Sequence, residues 1–118
     1  METKDRYLKT RKNHTTSDLE KKIEAKFRDK IKSLGGRAYK FVSPGNAGVP
    51  DRLVILPGGK IGFAELKRPQ GRASKIQKQQ MKFIKKLGCY VMVVGSLEDI
   101  DIFIGGLELW ENTKRSQL

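Results

Sequence analysis

The stretch that decides the fold spans residues 50–67 and reads PDRLVILPGGKIGFAELK. Two runs of strand-forming residues, 51–56 and 60–67, flank the turn-forming sequence Pro57-Gly58-Gly59. A short Gly-containing connection between two such runs is typical of a β-hairpin. We therefore expect two antiparallel strands that bring the beginning and the end of this stretch together.

The register of this hairpin determines which side chains become neighbours. If Leu56 pairs with Lys60 across the three-residue turn, Asp51 lies directly opposite Glu65. Opposite residues of an antiparallel pair have Cβ atoms about 4.5–5.5 Å apart. A turn one residue shorter or longer would place Asp51 on the other face, unless a bulge restored it. The three-residue turn thus predicts two adjacent carboxylates.

Two adjacent carboxylates repel each other, so the pair is costly unless a cation lies between them. Mg²⁺ suits such a pair because it takes one or two carboxylates, keeps several waters and shares its other positions with phosphate oxygens. Lys67 lies on the same strand face as Glu65, where it would steer or help deprotonate a water and offset charge on a phosphorane. This combination predicts phosphodiester hydrolysis.

The composition sets the classes of protein that remain. The 118 residues carry 25 Lys and Arg against 13 Asp and Glu, a net charge of +12. This excess favours a polyanionic partner, with nucleic acid first and an anionic membrane second. A lone Cys89 excludes a disulfide scaffold, and no apolar run approaches the ~20 residues of a membrane span. The N-terminus leads into no apolar segment, so a cytoplasmic protein is expected.

The positive charge is concentrated in one part of the chain. Residues 66–87 contain eight basic residues and no acid, whereas residues 97–111 contain five acids and no base. A basic patch beside the carboxylates would bind phosphates without reading bases. The residues predicted to bind DNA, two of them flanking the site, are Lys40, Arg52, Arg68, Arg72, Lys75, Lys78 and Lys82. Membrane binding is disfavoured because no amphipathic stretch has a Trp/Phe-rich apolar face.

The remaining pattern predicts an α/β domain. Residues 1–15 are polar and aperiodic, which predicts a flexible basic arm. The spacing Ser17-x-x-Glu20 is that of a capping box and predicts the start of a first helix, which Gly35-Gly36 ends. A short strand over 38–42 then precedes the hairpin.

A second helix is predicted from the spacing Ser74-x-x-Gln77 up to Gly88. Its buried stripe is expected to comprise Ile76, Met81 or Gln80, Phe83, Ile84 and Leu87. A strand over 89–94 and a short helix from Ser96 through Ile104 follow. The order is αβββαβ around a central mixed sheet flanked by helices, a single domain over 16–104. Residues 105–118 form a tail with apolar side chains that could contribute to an oligomer contact.

The sequence around both carboxylates resembles a known family. Pro50-Asp51 followed by Glu65-Leu66-Lys67 is similar to the PD-(D/E)xK signature of restriction-endonuclease-like nucleases. The wider strings look like the VRR-NUC family, the virus-type replication-repair nucleases, and in particular its small stand-alone members, which phages often encode. These strings are residues 40–45, 48–52, 62–67 and 74–77. The resemblance runs from about Leu19 to about Asp99.

The resemblance implies a restriction-endonuclease-like αβββαβ core and a Mg²⁺- or Mn²⁺-dependent endonuclease acting on branched or flapped DNA. Stand-alone members look like homodimeric Holliday-junction resolvases, which implies a role in DNA repair, in the host cytoplasm if a phage encodes the chain. The metal residues carry over to Asp51 and Glu65, with the Leu66 main-chain carbonyl as an extra ligand. The catalytic lysine carries over to Lys67, and a site glutamine to Gln77.

Two helix residues, Glu20 and Glu24, compete for the role of a further metal ligand. They lie four residues apart on one side of the first helix. Glu20 already serves as the capping-box partner of Ser17, whereas Glu24 has no such role and matches the family's helix glutamate. We therefore favour Glu24, with Glu20 as the alternative. Gln77 could both cap its helix and act in the site.

Three functions remain open at this point. The first is a metal-dependent endonuclease that resolves four-way DNA junctions as a homodimer. The second is a flap or nicking nuclease that acts with a replication or packaging partner. The third is a non-catalytic DNA-binding module, which predicts that Asp51→Ala and Glu65→Ala change nothing measurable.

Overall fold

The computed structural model describes the backbone of residues 2–117 and the side chains of residues 18–110. This part of the chain forms three helices and four strands. In order they are α1 Glu2–Ser33, β1 Arg37–Lys40, β2 Arg52–Leu56, β3 Lys60–Leu66, α2 Lys75–Lys86, β4 Tyr90–Val94 and α3 Leu97–Gln117. The predicted αβββαβ order is confirmed, followed by a third helix.

The four strands form one mixed sheet in the order β1-β2-β3-β4. The first three strands are antiparallel, and β4 joins β3 in parallel. Leu56 pairs with Lys60, and Arg52 pairs with Ala64. This is the register predicted from the three-residue turn, because continuing it by one position brings Asp51 opposite Glu65.

The hydrophobic core lies between one face of the sheet and two helices. α1 contributes Phe27 and α3 contributes Phe103, whose rings meet edge to face at 5.2 Å between centroids. Alternate strand residues such as Val54 and Val94 project into the same core. α2 packs on β4 on the other face, where Met81 and Val91 are buried. The two faces therefore differ, since one holds most of the core and the other is left for α2.

None of the described helices has the length and apolar character to cross a membrane.

The first and last helices extend further than the sequence pattern predicts. α1 begins at Glu2 and not at Ser17, because residues 2–16 contain no Gly or Pro to interrupt a helix. The helix predicted to end at Ile104 continues to Gln117. Ser96 caps it as predicted, since its Oγ accepts from the Asp99 amide at 3.0 Å. Leu107 of the predicted tail is part of the core and so is not free for an oligomer contact.

The predicted buried stripe of α2 is largely exposed. Met81 is the helix's buried residue. Ile76, Phe83 and Leu87 are 48%, 60% and 70% exposed. The reason is that α2 packs on the β4 side of a small sheet, so part of the helix's apolar face stays exposed among residues 18–110.

Two adjacent glycines in α3, Gly105 and Gly106, differ in how closely they pack against Tyr90 of β4. A Cβ at Gly106 would collide with the hydroxyl of Tyr90, which donates to the Phe103 carbonyl at 3.0 Å, whereas a Cβ at Gly105 would meet nothing within 4 Å. Alanine favours a helix over glycine by about 0.8–1 kcal/mol. We therefore expect Gly105→Ala to raise the melting temperature and Gly106→Ala to lower it. Calorimetry of both variants measures this difference, and equal stabilisation by both would contradict the packing.

Candidate active site

Asp51 stands at the entry to β2, held by its neighbours on both sides. Its backbone carbonyl accepts from the Phe41 amide at 2.8 Å. Its side-chain Oδ2 accepts from the Leu66 amide at 3.0 Å, across the end of β3. The buried Pro50 precedes it and restricts the backbone at that point. The carboxylate is thereby anchored at the edge of the hairpin beside Glu65.

Glu65 is a buried carboxylate, with only 1% of its surface exposed. Its Oε2 lies 3.1 Å from Lys67 Nζ and accepts from Gln77 Nε2 at 2.8 Å. Its Oε1 is buried and has no hydrogen-bond partner among the residues that the structure describes. Burial, and next to it the Asp51 carboxylate, raise the pKa of Glu65, while Lys67 acts in the opposite direction. This environment is unfavourable for a lone carboxylate.

Gln77 joins the site to α2 through both ends of its side-chain amide. Its side-chain Oε1 accepts from the backbone amide of Ser74 at 2.8 Å, and the backbone amide of Gln77 donates to Ser74 Oγ at 3.2 Å. This is the predicted capping box. Because the Nε2 group donates to Glu65, the cap and the site use one side chain at the same time.

Because one side chain serves both the cap and the site, a negative charge at position 77 should destabilise the fold. Gln77→Glu keeps the acceptor of the capping box but replaces the donor to Glu65 with a negative charge. We expect a loss of about 1–3 kcal/mol in the free energy of unfolding without divalent cations, because a buried acceptor loses its partner and gains a repulsion. Chemical denaturation in EDTA measures this loss. Gln79→Glu, exposed on the same helix, is the matched control, and equal effects of the two would contradict a link between Gln77 and Glu65.

The donor set fits a hard divalent cation. Asp51 and Glu65 supply two neighbouring carboxylates, and the unpartnered Oε1 of Glu65 is an acceptor that a cation would satisfy. The amide and carbonyl of one strand residue point to the same side, so the Leu66 carbonyl is expected to face Asp51 as its amide does. No three Asp, Glu, His or Cys side chains within residues 18–110 gather closely enough to share an ion. A cation here would thus complete its shell with waters and phosphate oxygens.

The structure places Glu24 beside Arg52, apart from this group. Arg52 Nη2 lies 2.9 Å from Glu24 Oε2, and Arg52 Nη1 donates to the Ala38 carbonyl at 3.2 Å. Arg52 is only 9% exposed, so its guanidinium offers little surface to DNA. The ion pair between Arg52 and Glu24 was not predicted from the sequence. The alternation of side chains along β2 indicates that Arg52 is not free on the surface, because it lies on the same strand face as the core residue Val54. Glu20 lies one turn earlier on α1 and is half-buried.

The other predicted DNA-binding residues are on the surface. All six are exposed, and five of them lie on the segment that leads from Lys67 into α2. They are Lys40, Arg68, Arg72, Lys75, Lys78 and Lys82. These six side chains are therefore accessible to a polyanionic partner, and their binding of DNA stays a prediction.

A mixed sheet with Pro-Asp before one strand and Glu-x-Lys at the end of the next defines the class of restriction-endonuclease-like PD-(D/E)xK proteins. A solved structure described as "VRR_NUC domain" superposes with a TM-score of 0.69 at 33% identity, covering 74% of this chain and 95% of that one. The chain belongs to the VRR-NUC family.

A curated relative comes from a phage. It is described as "Putative nuclease p44" of Acyrthosiphon pisum secondary endosymbiont phage 1, and it is 46% identical over 77 residues. These residues cover 65% of this chain and 83% of the relative. No family model matches the chain. The family assignment therefore rests on the structural neighbour and on this relative, and it makes the chain a phage-type member.

Proposed function

We propose that this protein, a nuclease by its family, is a metal-dependent, structure-selective DNA endonuclease that resolves Holliday junctions. The observation that carries the proposal is the buried Glu65 carboxylate, which has Asp51 and Lys67 as charged neighbours and one oxygen with no hydrogen-bond partner among residues 18–110. A buried carboxylate with a free acceptor destabilises a fold, and this one is explained if it holds a cation. We further place this activity in the cytoplasm of a host cell.

Asp51 and Glu65 would hold Mg²⁺ or Mn²⁺, with the Leu66 carbonyl as an additional ligand and Glu24 or Glu20 as more distant candidates. When bound, such a cation supplies Lewis-acid activation of water and phosphate oxygens. Lys67 orients or deprotonates the attacking water and balances negative charge that builds on the scissile phosphate. Gln77 fixes the orientation of Glu65 through its 2.8 Å hydrogen bond and could reach a nearby phosphate.

The basic segment after Lys67 provides the complementary half of the proposal. Phosphate contacts from its exposed lysines and arginines position the duplex without reading sequence. One chain carries one such site, whereas symmetric cutting of a four-way junction needs two sites related by a two-fold axis. A homodimer is therefore part of the proposal.

The decisive experiment compares labelled DNA of three shapes. A four-way junction, a 5′ flap and a plain duplex are incubated with the protein in Mg²⁺, Mn²⁺ or EDTA. We expect paired symmetric cuts in the junction with either cation and none in EDTA. Lys67→Ala removes the activity, and Lys85→Ala, an exposed lysine at the far end of α2, serves as the matched control.

The same assay separates the alternatives. Cutting of the flap in preference to the junction would select a flap or nicking nuclease. Binding of all three substrates without cleavage in either cation would leave a non-catalytic DNA-binding module and overturn the proposal.

A further inference from the structure

A groove of about 670 Å³ runs along α2, on the side of the loop that leads into Asp51. We call it the α2 groove. One wall is the helix and the other is the loop around Ala47, whose carbonyl accepts from Gln80 Nε2 at 3.1 Å. Gly48 completes the junction, because a Cβ there would be 3.0 Å from the Ile76 backbone. The groove is lined by Gly45, Asn46, Ala47, Ile76, Gln79, Gln80, Lys82, Phe83 and Lys86.

The wall formed by the helix presents an exposed aromatic ring. Phe83 is 60% exposed and Ile76, two turns before it, is 48% exposed. An aromatic face open to water is a stacking platform for a flat, apolar partner, and every nucleic-acid base has such a face. The wall opposite is made of small residues, which leaves room above the ring.

The charge of the α2 groove selects among partners. Lys82 and Lys86 line it, and no acidic residue is among the lining side chains. The whole of α2 carries lysines and no acid. A second copy of this chain would bring lysines against lysines, whereas a polynucleotide brings phosphates to the lysines and bases to the ring.

The position of the groove relative to the candidate active site points to the same partner. Gln77 contacts Glu65, and Phe83 follows it by six residues on the same helix, on a face about 120° away at 3.6 residues per turn. At 1.5 Å per residue this is about 9 Å along the helix axis. A nucleotide chain leaving the site along α2 would cover that distance within one or two nucleotides, since a fully extended strand spans about 6–7 Å per nucleotide, twice the 3.4 Å rise within a duplex.

We infer that the α2 groove binds an unpaired nucleotide of the DNA substrate, with the base stacked on Phe83 and phosphates on Lys82 and Lys86. The inference rests on the proposed DNA-directed function and adds the kind of DNA that the site accepts. Such a subsite favours substrates with unpaired nucleotides near the scissile phosphate, as at a flap or at a four-way junction whose base pair at the branch point has opened. It also accounts for the exposure of Ile76 and Phe83 in the part of the chain whose side chains are described.

The test measures binding in EDTA, so it does not depend on cleavage. A fluorescein-labelled oligothymidylate of about eight nucleotides and a blunt duplex are titrated by fluorescence anisotropy. Phe83→Leu keeps an apolar side chain and removes the ring, whereas Phe83→Tyr keeps the ring. Leu87→Ala alters an exposed apolar residue outside the groove and is the matched control.

We expect Phe83→Leu to lower the ratio of single-strand to duplex affinity about tenfold, as loss of one stacked base implies, and Phe83→Tyr to keep the wild-type ratio. Lys82→Ala should weaken single-strand binding and reduce its salt dependence by about one phosphate contact. An unchanged ratio in Phe83→Leu would overturn the inference. So would ultracentrifugation that finds a dimer in the wild type and a monomer in Phe83→Leu, because the groove would then be a contact between copies. Circular dichroism of each variant confirms folding, and Phe83→Ser replaces Phe83→Leu should the latter fail to fold.

Discussion

Asp51→Asn should lower the rate of DNA cleavage at least about 1,000-fold while leaving DNA binding intact. Loss of one ligand charge is expected to remove about 4 kcal/mol of transition-state stabilisation, and each 1.36 kcal/mol is a factor of ten. Affinity should be equal or higher, because a negative charge near the phosphates has gone. Single-turnover cleavage in Mg²⁺ and anisotropy in EDTA measure the two quantities.

Asp51→Asn separates a role in cleavage from a purely structural role of this side chain. Asn at position 51 keeps an oxygen that can accept from the Leu66 amide, so the loop should keep its shape. The matched control is Asp101→Asn, an exposed carboxylate on α3. Cleavage by Asp51→Asn at the rate of the control variant would remove Asp51 from the active site.

Glu65→Gln should abolish cleavage and, without divalent cations, raise the melting temperature by at least about 4 °C, which corresponds to about 1 kcal/mol in a domain of this size. Burial and Asp51 raise the pKa of Glu65, so the folded protein favours the neutral form of this side chain. Gln is neutral at all pH values, can accept from both Lys67 and Gln77, and ends the repulsion with Asp51.

The stability difference between Glu65→Gln and the wild type should depend on pH. A raised pKa in the folded protein means that protonation of Glu65 favours folding, so this contribution is complete below about pH 4.3 and is lost as pH rises through the raised pKa. The advantage of Glu65→Gln should therefore be present at neutral pH and disappear in acid. Melting curves in EDTA at several pH values measure it, with the exposed Glu108→Gln as control.

Added Mg²⁺ provides the second half of this test. A cation that binds only the folded state raises the melting temperature of the wild type, and the rise grows with the logarithm of the free cation concentration above its Kd. Glu65→Gln should lose that response, because a neutral amide replaces a charged ligand. A lower melting temperature of Glu65→Gln in EDTA would instead identify the Lys67–Glu65 ion pair as a structural contact.

The hairpin and its two carboxylates could be predicted from local sequence because a β-strand has a side-chain period of two. Once the three-residue turn sets Leu56 opposite Lys60, the relation of Asp51 to Glu65 follows from counting. The capping box of Ser74 and Gln77 was predictable for the same reason, since it depends on one fixed spacing of three residues. The metal and catalytic roles of these side chains remain proposals.

The surroundings of the site could not be predicted from local sequence, because they depend on contacts between segments that are distant along the chain. Glu24 and Arg52 are 28 residues apart, and their ion pair depends on where α1 crosses the sheet. The exposure of Phe83 depends on how much of α2 the four-stranded sheet can cover, although the apolar spacing by itself predicts a buried stripe. Periodicity shows which residues share a face of a helix or strand, whereas only the tertiary structure decides what that face contacts. The sequence by itself therefore determined the hairpin and its pair of carboxylates, and the packing of α1 and α2 decided which of the remaining charged and apolar side chains face solvent.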